Sequence, residues 1–219
     1  FYSFLAPQLT AYMDFKRNVL VQGTDVKRDM KSMEMSIPDF RDVRERAKSF
    51  ERLAAYSETQ AYMTLGDEPE RFDATWASPG LFAVYGAPPI LGREFLPNEE
   101  EKSKALTVII IGHRIWQERF KSDPNILGRT VKMNGRIREI VGVAPPEFRL
   151  PETADFFIPV YFDPVEDPRG ARYLHVAGRL KPGVTPKQAH AEVAAIGAAL
   201  AKEYPDHNEG LGLRVVTYR

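Results

Sequence analysis

The side chains that could do chemistry in this chain are few and lie far apart in the sequence. Its four histidines are His113, His175, His190 and His207, and it has no cysteine. The pair His190 and Glu192 comes nearest to a metal-ligand spacing, but side chains two residues apart on a helix point to different faces. The lack of cysteine excludes disulfides, thiolate metal sites and cysteine nucleophiles. We therefore expect no metal ligands among these residues.

Other motifs that carry chemistry are also missing. No G-x-G-x-x-G or G-x-x-x-x-G-K-[ST] loop occurs, and no G-x-S-x-G nucleophile elbow. The acidic run Glu99–Glu101 lacks the alternating oxygen ligands of a calcium loop, and we interpret it as a solvated loop. Trp76 and Trp116 fall on apolar faces, where packing in a core is the default. The sequence therefore predicts no catalytic residue, no cofactor site and no enzyme.

The composition is that of an ordinary globular protein. The 219 residues suffice for one large domain or two small ones, and 43% of them are hydrophobic. The 30 basic and 30 acidic side chains cancel, which gives no long-range attraction for nucleic acid or an anionic membrane. No run of about 18 apolar residues occurs, as a membrane-spanning helix would need. Both ends of the sequence resemble cuts from a longer protein.

Cap and turn signals predict the helices. Ser36 is a plausible N-cap for a helix with a buried stripe at Phe40, Val43, Ala47 and Phe50. A short helix is expected after Ser78-Pro79, with Ser78 as its cap and Gly86 at its end, and another over 113–120. The longest is predicted over 187–203, after Thr185-Pro186, with an apolar face that the sequence places at Ala189, Val193, Ile196, Leu200 and Tyr204.

Alternating and β-branched runs predict the strands. We expect hairpins over 60–65 and 71–76, around the turn at 66–69, and over 128–133 and 137–143, around Asn134-Gly135. Further strands are predicted at 8–14, 18–22, 107–111, 156–161, 174–180 and 213–218. The polar stretch 23–34 is expected to be a loop, and 163–170 a linker. Because helices alternate with antiparallel hairpins, the predicted fold class is α+β, ending in a βαβ unit.

Several segments in a fixed order resemble the MacB-like periplasmic core domain of ABC transporter permeases (MacB/FtsX-type). They are SIPDFRDVRERAKSFERLAAY, the GDEPER turn, SPGLFAVYGAPPILGREF, VIIIGHRIWQERF, DPNILGRTVKMNG, EIVGVAPPEF, FFIPV and GRLKPGVTPKQAHAEV. Together they cover most of the chain from Ser36 onward. The first 35 residues match the family poorly.

The resemblance implies a two-part domain and a non-catalytic role. A Porter-like subdomain of βαβ units would comprise residues 1–105 and 164–219, and an inserted Sabre-like subdomain residues 106–163. Such a domain lies on the periplasmic side of the bacterial inner membrane and couples ATP-driven dimer movement to export of a substrate. Its implied partners are the transmembrane helices of its own permease, a second permease copy in a homodimer, a cytoplasmic ATPase acting indirectly, and a periplasmic adaptor protein; nucleic acid is not among them.

Two other classes of protein stay open at this point. The chain could be a periplasmic ligand-binding or sensing module, which a deep pocket with convergent polar groups between its two parts would favour. It could also be an enzyme, for which the sequence offers no nucleophile–base pair and no metal site.

Overall fold

The computed structural model describes residues 14, 16–64, 68–146, 148, 150, 154–163 and 166–218. Contacts between residues divide the chain into two compact units. Unit 1 contains the described residues within 56–161, and unit 2 contains those within 14–55 and 162–218. Helices and strands occur in both units, so the prediction of an α+β fold is confirmed.

Unit 2 is built on a sheet with the strand order β11-β1-β10-β3. Its elements are β1 Asn18–Asp25, β2 Met30–Met33, α1 Ile37–Arg46, the start of β3 Phe50–Thr64, β10 His175–Leu180, α5 Pro186–Glu203, α6 Pro205–Asn208 and β11 Leu211–Thr217. The order in the chain is βαβ (β1, α1, β3) followed by βαβ (β10, α5, β11). Numbered along the chain, the four strands lie in the order 4-1-3-2, as in a ferredoxin-like fold.

The predicted final βαβ unit is present, but its two strands are not neighbours. β1 pairs antiparallel with both β10 and β11 and therefore lies between them. β10 and β11 run in the same direction and are joined through α5, which packs along β11. This arrangement is a split βαβ unit, in which β1, from the start of the chain, lies between the two parallel strands β10 and β11.

Unit 1 contains a sheet that closes on itself. Its elements are the end of β3, β4 Pro69–Ala77, α2 Leu81–Tyr85, β5 Leu91–Gly92, a 3-10 turn Pro97–Glu100, α3 Lys102–Ala105, β6 Val108–Ile111, α4 His113–Phe120, β7 Thr130–Met133, β8 Arg136–Val143 and β9 Phe156–Pro159. Neighbouring strands follow the order β3-β4-β9-β6-β8, and β7 pairs with both β8 and β3. The six strands thus form a small closed barrel.

The interior of this barrel is the hydrophobic core of unit 1. Met63 and Met133, which are register partners across β3 and β7, are both fully buried. From α4, Ile115 and Phe120 belong to the same cluster. Phe72 and Phe156 meet edge to face with their ring centres 5.2 Å apart. Small barrels are filled by side chains in this way, so the barrel is a packed body and not a channel.

The two predicted hairpins are confirmed. β3 and β4 pair antiparallel from Tyr56↔Ala77 to Thr64↔Pro69, although residues 66 and 67 of the expected turn lie outside the described residues. Between β7 and β8, Asn134 and Gly135 have φ angles of 49° and 77°. Both lie in the left-handed region that a two-residue type I′ turn requires.

The first predicted helix is shorter than expected. α1 begins after Ser36, whose hydroxyl accepts a hydrogen bond from the Asp39 backbone N–H, as predicted. It ends at Arg46, so Ala47 is the C-cap, and Phe50 is the first residue of β3. The predicted continuation to Phe50 is wrong because the carboxylate of Glu192 binds the N–H groups of residues 48 and 49, at 2.7 and 2.9 Å.

Two other local predictions are corrected. The stretch 23–34 is not all loop, because β1 continues to Asp25 and pairs with the exposed strand β2; backbone pairing does not need apolar side chains. Ser78 is not the cap of α2, which begins after Gly80 at a φ of 89°; Gly86 does end it in the left-handed region. Pro159 is the last residue of β9, which lies between β4 and β6 in the sheet. Most of the strand predicted at 8–14 lies outside the described residues.

The Porter-like and Sabre-like subdomains stay a prediction. The unit boundary at 161/162 lies beside the expected one at 163/164, while the other unit boundary is at 55/56 and the expected one at 105/106. The units are defined by contacts alone.

Candidate functional site

The most highly organised polar site in unit 2 joins three segments that are distant in the sequence. It consists of Asp39 and Asp42 on α1, Arg169 and Arg172 on the segment 166–174, and Asn208 on α6. We call these five residues the anchor cluster. The segment 166–174 brings the chain into β10, so the cluster fastens this segment to the helices of unit 2.

Asp39 is the centre of the anchor cluster. Its carboxylate is buried, and one oxygen accepts hydrogen bonds from Nη1 of Arg169 at 2.6 Å and from the side-chain amide of Asn208 at 2.9 Å. Its other oxygen lies 3.5 Å from Nη2 of Arg172. A buried carboxylate needs such partners, since burial of an unpaired charge costs several kcal/mol. Asp39 therefore lies in the first turn of α1 and is held there by three side chains.

Arg169 connects α1 with the end of α5. Its Nη1 also donates to Asp42 at 2.7 Å, and its guanidinium carbon lies 3.6 Å from the centre of the Tyr204 ring. Burial alone would lower the pKa of Arg169, but the hydrogen bonds to Asp42 and Asp39 raise it above its ordinary value. The guanidinium is thus a permanent cation in a stacked, ion-paired position, where Arg and Lys are not interchangeable.

Arg172 ties α6 to the same cluster. Its Nη2 donates to the backbone oxygen of His207 at 3.0 Å and to the side-chain oxygen of Asn208 at 2.7 Å. Burial lowers the pKa of Arg172 below its ordinary value, and the neighbouring cation Arg169 adds to this, while Asp39 opposes it. An arginine titrates far above neutral pH, so Arg172 stays charged there.

A small cavity adjoins the anchor cluster. Asp39, Arg172 and Asn208 line one side of it, and Met35, Leu200 and Leu213 belong to its apolar lining. Its volume is about 20 Å³, which is room for about one water molecule. Pockets for drug-sized ligands measure roughly 300–1,000 Å³. This cavity therefore suits a bridging water and not an organic ligand.

A second contact fastens the helices of unit 2 to each other. Arg46 near the end of α1 donates two hydrogen bonds of 2.8 Å to the carboxylate of Glu203 at the end of α5. It also lies 3.5 Å from Asp42, which belongs to the anchor cluster. The chemistry of the site is thus the pairing of fixed charges, which holds α1, α5, α6 and the segment 166–174 together.

The structure separates the histidines that the sequence analysis considered. His113 opens α4 with its ring 5.5 Å from that of Trp116, and His175 begins β10. The Nδ1 atom of His190 accepts a hydrogen bond from the backbone N–H of Val215 at 3.3 Å, and His207 lies on α6. Within the described ranges, no three His, Asp or Glu side chains converge as a metal site requires.

Glu192 has a structural role that its position on α5 explains. His190 contacts β11 whereas Glu192 binds the turn before β3, which confirms that the two side chains serve different faces of the helix. Burial alone would raise the pKa of Glu192, but the N–H of Lys48, the hydroxyl and N–H of Ser49 and the charge of Lys181 together lower it. The N–H groups of Lys48 and Ser49 therefore bond to Glu192 and do not continue the helix that was predicted there.

Two of the sequence interpretations are wrong in detail. Glu99 is not solvated: it is 5% exposed, and its carboxylate binds the guanidinium of Arg93 with distances of 2.9 and 2.8 Å and the Leu96 N–H at 2.8 Å. Trp76 is not in the core, since 38% of it is exposed near the end of β4. Trp116 packs against the barrel core as expected, and its Nε1 donates to the Asp123 carbonyl at 2.9 Å.

The anchor cluster was missed by the sequence analysis. The linker interpretation of 163–170 gave Arg169 no partner, and no sequence pattern connected that segment with Asp39. The two residues are 130 positions apart, so no local pattern could join them. The only signal in the sequence was the presence of two arginines, Arg169 and Arg172, in the segment that leads back into unit 2.

The family of the chain follows from comparison with known proteins. A family model described as the MacB-like periplasmic core domain matches residues 6–196. The chain belongs to this family. No curated protein matches the chain.

Solved structures of MacB-like periplasmic core domains and related proteins share the fold. The periplasmic region of MacB from Actinobacillus actinomycetemcomitans has 12% identity and a TM-score of 0.64, covering 92% of this chain and 89% of that one. A permease domain from Porphyromonas gingivalis has 16% identity and a TM-score of 0.64, covering 94% and 91%. The extracellular domain of the ABC-type transporter YknZ from Gram-positive bacteria has 13% identity and a TM-score of 0.61, covering 91% and 100%.

The family assignment identifies the context of this MacB-like periplasmic core domain. It is a periplasmic domain of a MacB-like ABC transporter permease, as the resemblance implied. Among the residues that the structure describes, no helix combines the length and the hydropathy needed to cross a bilayer.

Proposed function

We propose that this domain is a non-catalytic coupling element of its permease, on the periplasmic side of the bacterial inner membrane. It would pass ATP-driven movement of the permease dimer to the export or release of a substrate outside that membrane. Its partners would be the transmembrane helices of its own permease, the second copy in a homodimer and, indirectly, the cytoplasmic ATPase. A periplasmic adaptor protein is a further partner in this proposal.

The observation that carries the proposal is the family match over residues 6–196. The anchor cluster supports it, because a domain that transmits movement needs segments that move as packed bodies. In unit 2 the re-entering segment 166–174 is fastened through Arg169 to α1 and to the end of α5. The fixed charges of this site offer no group in the arrangement that bond making requires, namely a nucleophile beside a base.

The proposal includes the two subdomains implied by the resemblance. The Porter-like part would comprise residues 1–105 and 164–219, and the Sabre-like part residues 106–163. The ferredoxin-like strand order of unit 2 supports a Porter-like part made of βαβ units, since β1, α1, β3 and β10, α5, β11 are two such units.

The absence of cysteine from this chain allows a direct test in the full-length permease. Single cysteines at exposed positions, Ala198→Cys on α5 and Gln117→Cys on α4, would carry spin labels without native cysteines of the domain competing. Distances between the two copies in the dimer would be measured by pulsed electron paramagnetic resonance, with and without ATP.

If the domain is a coupling element, the distance between the spin labels on the two copies should change when ATP binds. A permease variant that binds no ATP is the matched control and should give one distance throughout. If the labelled permease with an intact ATP site hydrolyses ATP while the distances at both labelled positions stay constant, the proposal is wrong. Full transport by a permease lacking the whole domain would contradict it equally.

A further inference from the structure

One end of unit 2 collects basic side chains from three separate segments. The start of β1 lies beside the end of β10, where Asn18 pairs with Arg179 and Arg17 exchanges hydrogen bonds of 2.8 and 2.9 Å with Leu180. The turn after β10 lies beside the turn before β3, because the Lys181 N–H donates to the Ser49 carbonyl at 2.9 Å. Sheet topology therefore gathers charges that are far apart in the sequence.

The end of β11 lies at the same place. Val19 near the start of β1 is the register partner of Thr217, the last residue of β11. The start of β1 and the end of β11 are thus next to each other, at the end of the sheet that carries the basic side chains. We call this end the basic rim; its cations are Lys16, Arg17, Lys48, Arg179, Lys181 and Lys187.

Asp14, Glu51 and Glu192 lie near the basic rim and offset part of its charge, and Lys181 is close enough to Glu192 to help lower its pKa. Glu51 is shared by two arginines, Arg17 and Arg179. The carboxylate of Glu192 is directed to backbone N–H groups of the turn before β3. Lys16, Lys48, Lys181 and Lys187 are all exposed, and no carboxylate of the described residues lies within ion-pair distance of them. The rim therefore keeps an excess of positive charge although the whole chain is neutral.

Lys187 shows that this charge does not serve the stability of its own helix. It lies in the first turn of α5, which contains no acidic residue. The N-terminus of a helix carries partial positive charge, so a cation there is unfavourable by a few tenths of a kcal/mol to about 1 kcal/mol. A lysine at this position is better explained by an anionic partner outside the chain.

The other end of β1 has a different charge pattern. There Lys27 pairs with Glu209 at 3.0 Å, and Arg28 lies 3.6 Å from Asp25. The eight residues of β1 separate the two ends by roughly 26 Å, at about 3.3 Å per residue. Bases and acids are balanced at this end, so the charge asymmetry is specific to the basic rim.

We infer that the basic rim contacts the anionic phospholipid headgroups of the membrane from which the domain projects. This inference rests on the proposed function, because that function places the domain on the outer side of a bilayer. Lysines near an anionic bilayer surface are each attracted by about 1 kcal/mol, and this attraction decays within a Debye length. The rim would orient unit 2 on the bilayer.

Vesicle binding of the 219-residue chain tests the inference. The probes are vesicles of phosphatidylcholine alone and of phosphatidylcholine mixed with phosphatidylglycerol, with bound protein measured by co-sedimentation at low and high salt. We expect binding to the mixed vesicles only, and its loss at high salt. The triple variant K16E/K181E/K187E should bind more weakly by roughly a hundredfold or more, at about fivefold per lost charge.

A matched variant separates the basic rim from general electrostatics. K27E/K31E reverses charges at the other end of β1 and should keep binding close to that of the parent chain. K16Q/K181Q/K187Q, which removes the charges without reversing them, should also lose binding while its circular dichroism and melting temperature match the parent. These checks keep the result independent of folding.

Several outcomes would overturn the inference. They are no binding of the parent chain to mixed vesicles at low salt, equal binding to both vesicle types, and equal losses in the rim and control variants. The test uses no ATP, so it is independent of the distance measurement on the permease. If the permease shows no ATP-dependent movement, the proposed function is wrong, but lipid binding by the rim can still be observed. If only vesicle binding fails, the inference about the basic rim is wrong and the proposed function is not affected.

Discussion

The guanidinium of Arg169 lies 3.6 Å from the centre of the Tyr204 ring while one of its nitrogens binds Asp39 at 2.6 Å. A single side chain from the re-entering segment thus contacts the first helix of unit 2 and the end of its longest helix. The side chain of Arg169 is only 13% exposed. Its removal would leave two carboxylates with fewer partners in a partly desolvated site.

We expect Arg169→Ala to lower the free energy of unfolding by roughly 3 kcal/mol, because breaking a buried pair leaves an uncompensated buried charge. Urea denaturation followed by circular dichroism measures this. Arg119→Ala is the matched control: Arg119 binds Glu70 at 2.5 Å, but both side chains are about half exposed, at 40% and 48%. An exposed pair contributes at most about 1 kcal/mol, so similar losses in the two variants would refute a special role for Arg169.

Acid should weaken the turn between α1 and β3. The pKa of Glu192 in the folded chain is below its ordinary value of 4.5, so its carboxylate stabilises the fold at pH values above 4.5. That contribution is lost as the pH falls through the lowered pKa, because the protonated form accepts the N–H groups of Lys48 and Ser49 less well. Stability of the wild-type chain against urea should therefore fall in this acidic range.

Glu192→Gln should remove this part of the acid sensitivity and be less stable than wild type at neutral pH. Urea midpoints measured between pH 7 and pH 3 test both statements. Glu45→Gln, an exposed change on α1, should keep the acid profile of the parent chain. A Glu192→Gln chain whose stability falls as steeply with acid as that of wild type would contradict this role of Glu192.

The contact of α5 with β11 should not tolerate a methyl group at Gly197. A Cβ atom built there would lie 2.9 Å from the backbone nitrogen of Leu213, so the helix would have to move away from the strand. Alanine normally stabilises a helix relative to glycine by about 1 kcal/mol. Here we expect Gly197→Ala to destabilise by roughly 1–3 kcal/mol through overpacking.

Thermal melting of Gly197→Ala, with the exposed neighbour Ala198→Gly as control, measures that effect. The control should lose about 1 kcal/mol from propensity alone. A higher melting temperature for Gly197→Ala than for wild type would mean that helix propensity outweighs the clash.

The start of α5 depends on a capping box. The Thr185 hydroxyl accepts from the Gln188 N–H at 3.2 Å, and the Gln188 side-chain oxygen accepts from the Thr185 N–H at 2.9 Å. Thr185→Ala should cost about 1 kcal/mol, while Thr185→Ser should be nearly neutral because its hydroxyl can still accept. Urea midpoints of the two variants give the comparison, and equal losses would show that the methyl group of Thr185 matters more than the cap.

The elements with local signals could be predicted from the sequence. The capping residues Thr185 and Gln188 and the spaced apolar residues of α5 determine a helix by contacts within one turn. Asn134-Gly135 likewise determines its hairpin, because both residues must adopt positive φ. These predictions needed no knowledge of the rest of the fold.

Structure that depends on distant partners could not be predicted in this way. α1 stops at Arg46 because the N–H of Lys48 donates to the carboxylate of Glu192 on α5, which is 144 positions away in the sequence. The barrel of unit 1 closes because β7 pairs with β3, at Met63↔Met133. The basic rim exists only where three turns meet, and a sequence with equal numbers of acids and bases gives no sign of it.

The split βαβ arrangement of unit 2 has a consequence for the order of events during synthesis on the ribosome. β1 and β3 are made early, yet in the finished sheet the position between them belongs to β10, which emerges only after all of unit 1. β1 and β3 cannot complete their backbone hydrogen bonds before β10 has been made. The strands of the unit 1 barrel, in contrast, come from one continuous stretch of the chain. We expect unit 1 to fold first and unit 2 to fold late and slowly, since contacts between distant segments slow folding. Strands awaiting β10 would be the part of the nascent chain most in need of a chaperone.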